Sequence, residues 1–319
     1  MNQQKSWPYI LLSLLMLILV IFNPTGKSSD SGSDSSHRAS EGLLFGEVYL
    51  GDSKKSGYAV LGIGSCTDKE LVIPSSYKKK PVLAIESEAF RNGTIESVVI
   101  PSSVEWIGTS AFENCESLRR VELSEGLLEI QGNAFYECDQ LEAVTVPETV
   151  REIGYGAFGH CASMTRITIG KEVKSIGANA FAYCYSLVTA DLPDSVSTLG
   201  EGAFFCCTRL KSASVPKNIE VIPARLFSGC ESLQDVEIRG AVRIIDVDAF
   251  LDCKQLGSVT LPESLELICG GAFSGCISLG TLYYKGTVSM WNNQVYTERD
   301  WRILNLHTIS CSDAAIPLR

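Results

Sequence analysis

The chain has 319 residues, 45% of them apolar and 20% charged, with 37 acidic against 27 basic side chains and a formal charge of -10. These values leave ample material for a sizeable core and exclude disorder over most of the length. The acidic excess repels phosphate backbones and anionic lipid, which argues against nucleic acid as a partner.

Residues 1–24 read as an export or anchor segment. Lys5 precedes an apolar run from Tyr9 to Phe22 that only Ser13 interrupts, the charge order of an export signal. At 1.5 Å per residue this run covers about 21 Å, short of the roughly 30 Å hydrocarbon core unless Trp7, Pro8 and the flanking backbone contribute. Length thus favours a cleaved signal peptide. The absence of an A-x-A-like site, with Gly26 and Ser28 as the small-residue candidates, favours an uncleaved short anchor over residues 7–23. Both readings stay open, and both place the bulk of the chain outside the cytoplasmic membrane, extracellular or at the cell surface. Residues 25–42 are rich in Ser, Asp and Gly and lack the apolar side chains that would offset the entropy of ordering, so they read as a flexible linker. The Asp/Ser stretch around His37 has no spaced ligand set for a metal.

Residues 43–85 precede the regular pattern and are expected to cap it, with Leu71, Val72, Ile73 and Pro74 as the first strand and turn. Lys78, Lys79 and Lys80 read as a solvated loop, and Asn92-Gly93-Thr94 has the form of a glycosylation acceptor. From residue 86 to 282 the chain repeats itself. Phe recurs at 112, 135, 158, 181, 204, 227, 250 and 273, a constant step of 23, with Phe90 a further 22 upstream. Ala, or Leu226 in one unit, precedes each Phe, which gives nine units, and a Cys stands three residues after eight of the nine. An apolar-x-apolar pair such as Val144/Val146 follows, then often Pro (Pro147, Pro193, Pro216, Pro262), then a pair such as Val150/Ile153. Two apolar residues two apart face one way on a short strand, so each unit donates one strand. Stacked coils would align these strands in a parallel ladder about 4.8 Å apart. A lone coil would leave both flat sides wet, so the units are stable only in a capped stack.

Segments such as TVPETVREIGYGAFGHCASM and SVTLPESLELICGGAFSGCISL resemble the BspA-type leucine-rich repeat. The resemblance implies a repeat solenoid, a leucine-rich-repeat right-handed coil with a parallel β-ladder on one face and short turns or irregular segments on the other. It also implies a terminal unit over residues 283–319, where Tyr283, Tyr284, Trp291 and Trp301 replace the repeating aliphatics. These aromatics are expected to seal the last coil, with a carbohydrate platform as the alternative.

The ladder Cys residues are expected to pack as small buried apolar side chains, because in-register Cβ vectors run parallel and do not converge on a disulfide. Cys66, Cys206, Cys269 and Cys311 lie off the ladder and are the candidates for pairing or reactivity. His37, His160 and His307 are too scattered to assemble a catalytic set, so no enzyme, cofactor or metal centre is expected. The remaining candidate site is the outward side of the ladder, with Arg120, Glu122, Arg166, Asp191, Asp235, Glu237 and Tyr283 as its candidate binding face. Asp191, Asp235 and Glu237 are expected to form an acidic patch. The resemblance implies adhesion through a protein or cell-surface ligand, with host or cell-cell contact as the setting; the alternative is a structural, self-associating envelope protein.

Overall fold

The computed structural model describes residues 38–50, 55–298 and 305–318. The expected segment 1–24, most of the linker with His37, and Trp301 lie outside the described residues. Within them the chain winds into a solenoid whose backbone coils pair with their neighbours.

Eleven parallel strands among the described residues stack on one side, from Glu70–Val72 through Arg120–Leu123, Ser212–Val215 and Thr281–Tyr284 to Thr308–Ser310. Equivalent residues pair in register: Ala143 opposes both Arg120 and Arg166, and Ser212 to Val215 oppose Asp235 to Ile238. Alternation does the sorting, since Val121, Val144 and Val259 turn into the core while Arg120, Glu122 and Thr260 face out. The expected continuous ladder is instead three hydrogen-bonded sheets, interrupted after Arg166–Thr168 and after Asp235–Ile238. One coil past the first interruption, between the paired strands Thr189–Ala190 and Ser212–Val215, the Leu192 N–H donates to the Ser214 hydroxyl at 3.0 Å, where the equivalent Val146 N–H donates to the Thr168 carbonyl. Ser214 is correspondingly buried at 3% exposure, where the alternation had placed it outward.

A second side carries more order than turns or irregular segments. Two-residue strands, Trp106–Ile107, Glu129–Ile130, Glu152–Ile153 and onward, pair in parallel as a second ladder. These are the residues of the V-x-x-I motif, and their inward Ile side chains are fully buried, while Leu199, after which this ladder breaks, is half-buried.

The third side is built from the turns around each Phe. Two residues per coil adopt positive φ, two before and two after the Phe, for example Ser110 (φ 56) and Asn114 (φ 58), then Asn133 (φ 55) and Glu137 (φ 57). This conformation turns successive N–H groups toward the next coil: Phe112 donates to the Ala134 carbonyl and Asn114 to the Tyr136 carbonyl, both at 2.8 Å. One column of these positions reads Asn133, Gly156, Asn179, Gly202. Its glycines are needed twice over, because Gly156 has φ +58 and a Cβ there would lie 2.3 Å from the Asn133 Oδ1.

Inside, nine Phe rings stack in one column, with centroids 5.0 to 5.8 Å apart. Beside it runs the Cys column, and each thiol donates to the carbonyl of the Phe one coil back, from Cys115 to Phe90 at 3.1 Å to Cys276 to Phe250 at 3.0 Å. The twelve cysteines are free thiols. Burial pushes the Cys115 thiol up to about 11 and the Cys184 thiol to about 12. Cys269, expected among the reactive thiols, is also buried, and its pKa rises to about 11 by desolvation and the nearby Asp246 carboxylate.

Both ends are covered. The hairpin of Leu44–Leu50 and Lys55–Gly62 pairs antiparallel, and its second strand continues in parallel into Lys80–Ile85 and so into the second ladder. Val48, Leu50, Leu83 and Trp106 form a small separate core on it. At the other end, Thr287 caps the helix Val288–Gln294 by accepting from the Met290 N–H. Its buried Trp291 meets Tyr284 edge-on at 5.2 Å, so these two aromatics seal the last coil, whereas Tyr283 is 47% exposed on the strand side.

Candidate functional site

The strand side brings all seven predicted residues onto one surface, and all are exposed. Arg120 and Arg166 occupy one column with Ala143 between them, two rungs and hence roughly 10 Å apart. Neither guanidinium makes an ion pair among the described residues. Glu122 follows on the neighbouring column with Thr145 and Thr168, small hydroxyl side chains that leave both Arg heads accessible.

The expected acidic patch is corrected by a residue that the sequence reading passed over. Arg239 stands in the slot where Pro147, Pro193, Pro216 and Pro262 end other strands. Its N–H donates to the Val215 carbonyl at 3.1 Å, a bond proline cannot make. Its guanidinium turns back along the face, donating from Nη2 to Asp191 at 2.8 Å and from Nε to Glu237 at 2.8 Å. Nη1 donates to the Leu192 carbonyl at 3.1 Å and lies 3.9 Å from Asp194. The result is a clamp across three coils in place of a cluster of bare carboxylates. The Arg239 hydrogen bond, seconded by the Ser214 hydroxyl, holds the Asp191 carboxyl below the usual carboxylate range. Asp235 stands beside the clamp and makes no ion pair among the described residues. The signal was present in the sequence as a break in the proline column.

No helix among the described residues is long and apolar enough to cross a membrane. The geometry is that of an extended, open surface with charged side chains at ladder spacing, suited to contact with another macromolecule.

Several known proteins are similar to this chain. The Treponema pallidum leucine rich repeat protein TpLRR is similar at 27% identity and a TM-score of 0.50, over 67% of this chain and 88% of that one. A leucine rich cell surface protein from Faecalibacterium prausnitzii is 22% identical with a TM-score of 0.34, over 84% of this chain and 99% of that one. The pneumococcal vaccine antigen PcpA is 16% identical with a TM-score of 0.45, over 84% and 91% respectively. No curated protein matches. The family described as BspA type leucine rich repeat region matches in six copies over residues 83–204 and 174–300. With the ladders, the Phe column and this match in agreement over more than half of its length, the chain belongs to the BspA type leucine rich repeat family.

Proposed function

We propose that this repeat protein is a non-enzymatic binding protein, exported and displayed at the cell surface or released from it, that contacts a protein or cell-surface ligand in adhesion. The observation that carries the reading is the Arg120–Arg166 pair. Arginine is enriched where interfaces concentrate their energy, and these two heads are accessible and separated only by small side chains. The clamp at Arg239 is by contrast satisfied internally and serves the stack. Export rests on the apolar run Tyr9 to Phe22 that follows Lys5.

A second reading, self-association in the envelope, is favoured by one column of the second ladder. Val221, Ile244, Leu267 and Tyr296 lie in register there, and Val221 and Tyr296 are exposed. One comparison separates the two. Purified full-length chain, its Arg120→Ala/Arg166→Ala variant and its Ile244→Glu variant are assayed for binding to intact cells and for mass by light scattering. The adhesion reading expects the Arg variant to lose at least tenfold in cell binding at unchanged mass. Unchanged cell binding by that variant, with Ile244→Glu converting an oligomer to a monomer, replaces adhesion by self-association.

A further inference from the structure

The side formed by the Phe turns carries a surface that neither the ladder nor the capping explains. Four successive coils contribute aromatic side chains to one hollow of 390 Å³: Tyr136, then Tyr155 and His160, then Tyr183, then Phe205. Their placement follows from the turn geometry. His160 (φ 59) and Tyr183 (φ 61) are themselves positive-φ residues. The rings do not lie flat in a row. His160 is tilted by 32° over Tyr183 at 4.3 Å and by 59° against Tyr136 at 5.1 Å, while Phe205 meets Tyr183 nearly edge-on at 5.2 Å. Tyr155 stands 57% exposed at the rim. These rings stand at neighbouring but unequal offsets from the repeat Phe, half-buried except for Tyr155, and form a second aromatic cluster outside the Phe column that fills the core.

The polar groups of the hollow specify its ligand further. Glu201 and Arg225 form an ion pair at 3.2 Å on its wall, and the Asn179 amide lies beside them. A carboxylate and a guanidinium held together offer acceptors and donors side by side with no net charge. Glu201 is the one carboxylate and Arg225 the one guanidinium that line the hollow, and their pairing leaves neither as a free partner for an ionic ligand. A fitting ligand is neutral, has apolar faces that can lie on tilted rings, and carries many hydroxyls at its edges. A pyranose has these properties: its axial C–H bonds present a weakly positive face to the negative face of an aromatic ring, and its hydroxyls both donate and accept.

We propose that Tyr136, Tyr155, His160 and Tyr183, with the Glu201–Arg225 pair, form a binding site for a neutral glycan, on a different side of the solenoid from the strand face. Successive coils about 4.8 Å apart let consecutive sugar units meet consecutive rings. The full-length chain is tested on an array of neutral, sialylated and sulfated glycans with decaproline as a peptide probe, beside its Tyr155→Ala, Glu201→Gln and Tyr49→Ala variants. Circular dichroism checks each fold; Tyr155 and Tyr49 are both exposed, so neither truncation opens the core. The expected result is binding to neutral glycans that Tyr155→Ala and Glu201→Gln each weaken by about tenfold and Tyr49→Ala leaves unchanged. Absence of neutral-glycan binding, binding confined to the anionic glycans or to decaproline, or equal binding by all variants overturns the proposal. Because none of these variants touches Arg120 or Arg166, either outcome leaves the strand-face reading to its own test.

Discussion

Arg239 stands where six other coils have proline, and the exchange acts on both the backbone and the charge of the strand face. The backbone gains a hydrogen bond to Val215, and the side chain draws Asp191 and Glu237 into one clamp. Its partners are largely exposed, so each ion pair is worth little alone, and the carbonyl bond to Leu192 adds to the sum. Replacing Arg239 by alanine is expected to cost about 1 kcal/mol at pH 7. The sign with pH follows from Asp191. Its folded pKa is depressed, so the stabilisation is fully present above the ordinary carboxylate range and is lost as pH falls through the lower folded value. Urea midpoints of the two proteins should therefore differ at pH 7 and converge toward pH 2. A gap that stays constant over that range would show that the guanidinium acts by packing.

At the scale of the element, the turn that follows each Phe joins three functions in a few residues: the ring enters the column, the positive-φ residue passes N–H groups to the next coil, and the Cys returns a thiol bond to the previous one. From Cys115 to Cys253 the thiols of this column have raised folded pKa values, with desolvation as the leading cause. A raised value means that their contribution to stability is complete below the unfolded thiol pKa of about 8.5 and is lost as pH rises toward the folded value. Each thiol should thus weaken the fold by up to about 1.4 kcal/mol per pH unit above pH 9. Cys184→Ala is expected to remove one such increment from the slope of stability between pH 9.5 and 11, read from urea unfolding, whatever the packing loss does to its absolute level. Parallel slopes would place the alkaline sensitivity elsewhere. Much of this element was legible in the sequence, because a strict period of 23 puts Phe and Cys on fixed inward columns whatever the path between them. The turn conformation was not, since Ser110, Glu137, Tyr183 and Arg225 are not residue types that announce positive φ. Arg239 was missed for a related reason: charges were compared only at strand positions, and its own slot belongs to the turn. The aromatic hollow was hidden in the same way, its rings occupying neighbouring but unequal offsets from the repeat Phe.

For the whole molecule, a stack whose backbone coils pair with their neighbours is expected to gain or lose coils one at a time. The column Asn133, Gly156, Asn179, Gly202 qualifies that expectation. Each Asn side chain lies where a Cβ of the next coil would stand, and each Gly leaves that place open: the Asn179 Oδ1 would be 2.6 Å from a Cβ at Gly202. Over these coils the molecule therefore alternates between two kinds of tile, and its spatial grain is 46 residues although its sequence period is 23. Excising residues 136–158 brings Asn133 against Asn179, two like tiles, while excising 136–181 brings Asn133 against Gly202 and keeps the alternation. The longer excision should accordingly yield the more stable protein by thermal unfolding, even though it removes twice as much buried core. If the shorter one is the more stable, the coils are interchangeable after all. A lineage that lengthened or shortened this region in paired steps would keep its tiling intact at every stage, which makes the pair, and not the single coil, the unit in which this stretch of the solenoid can grow.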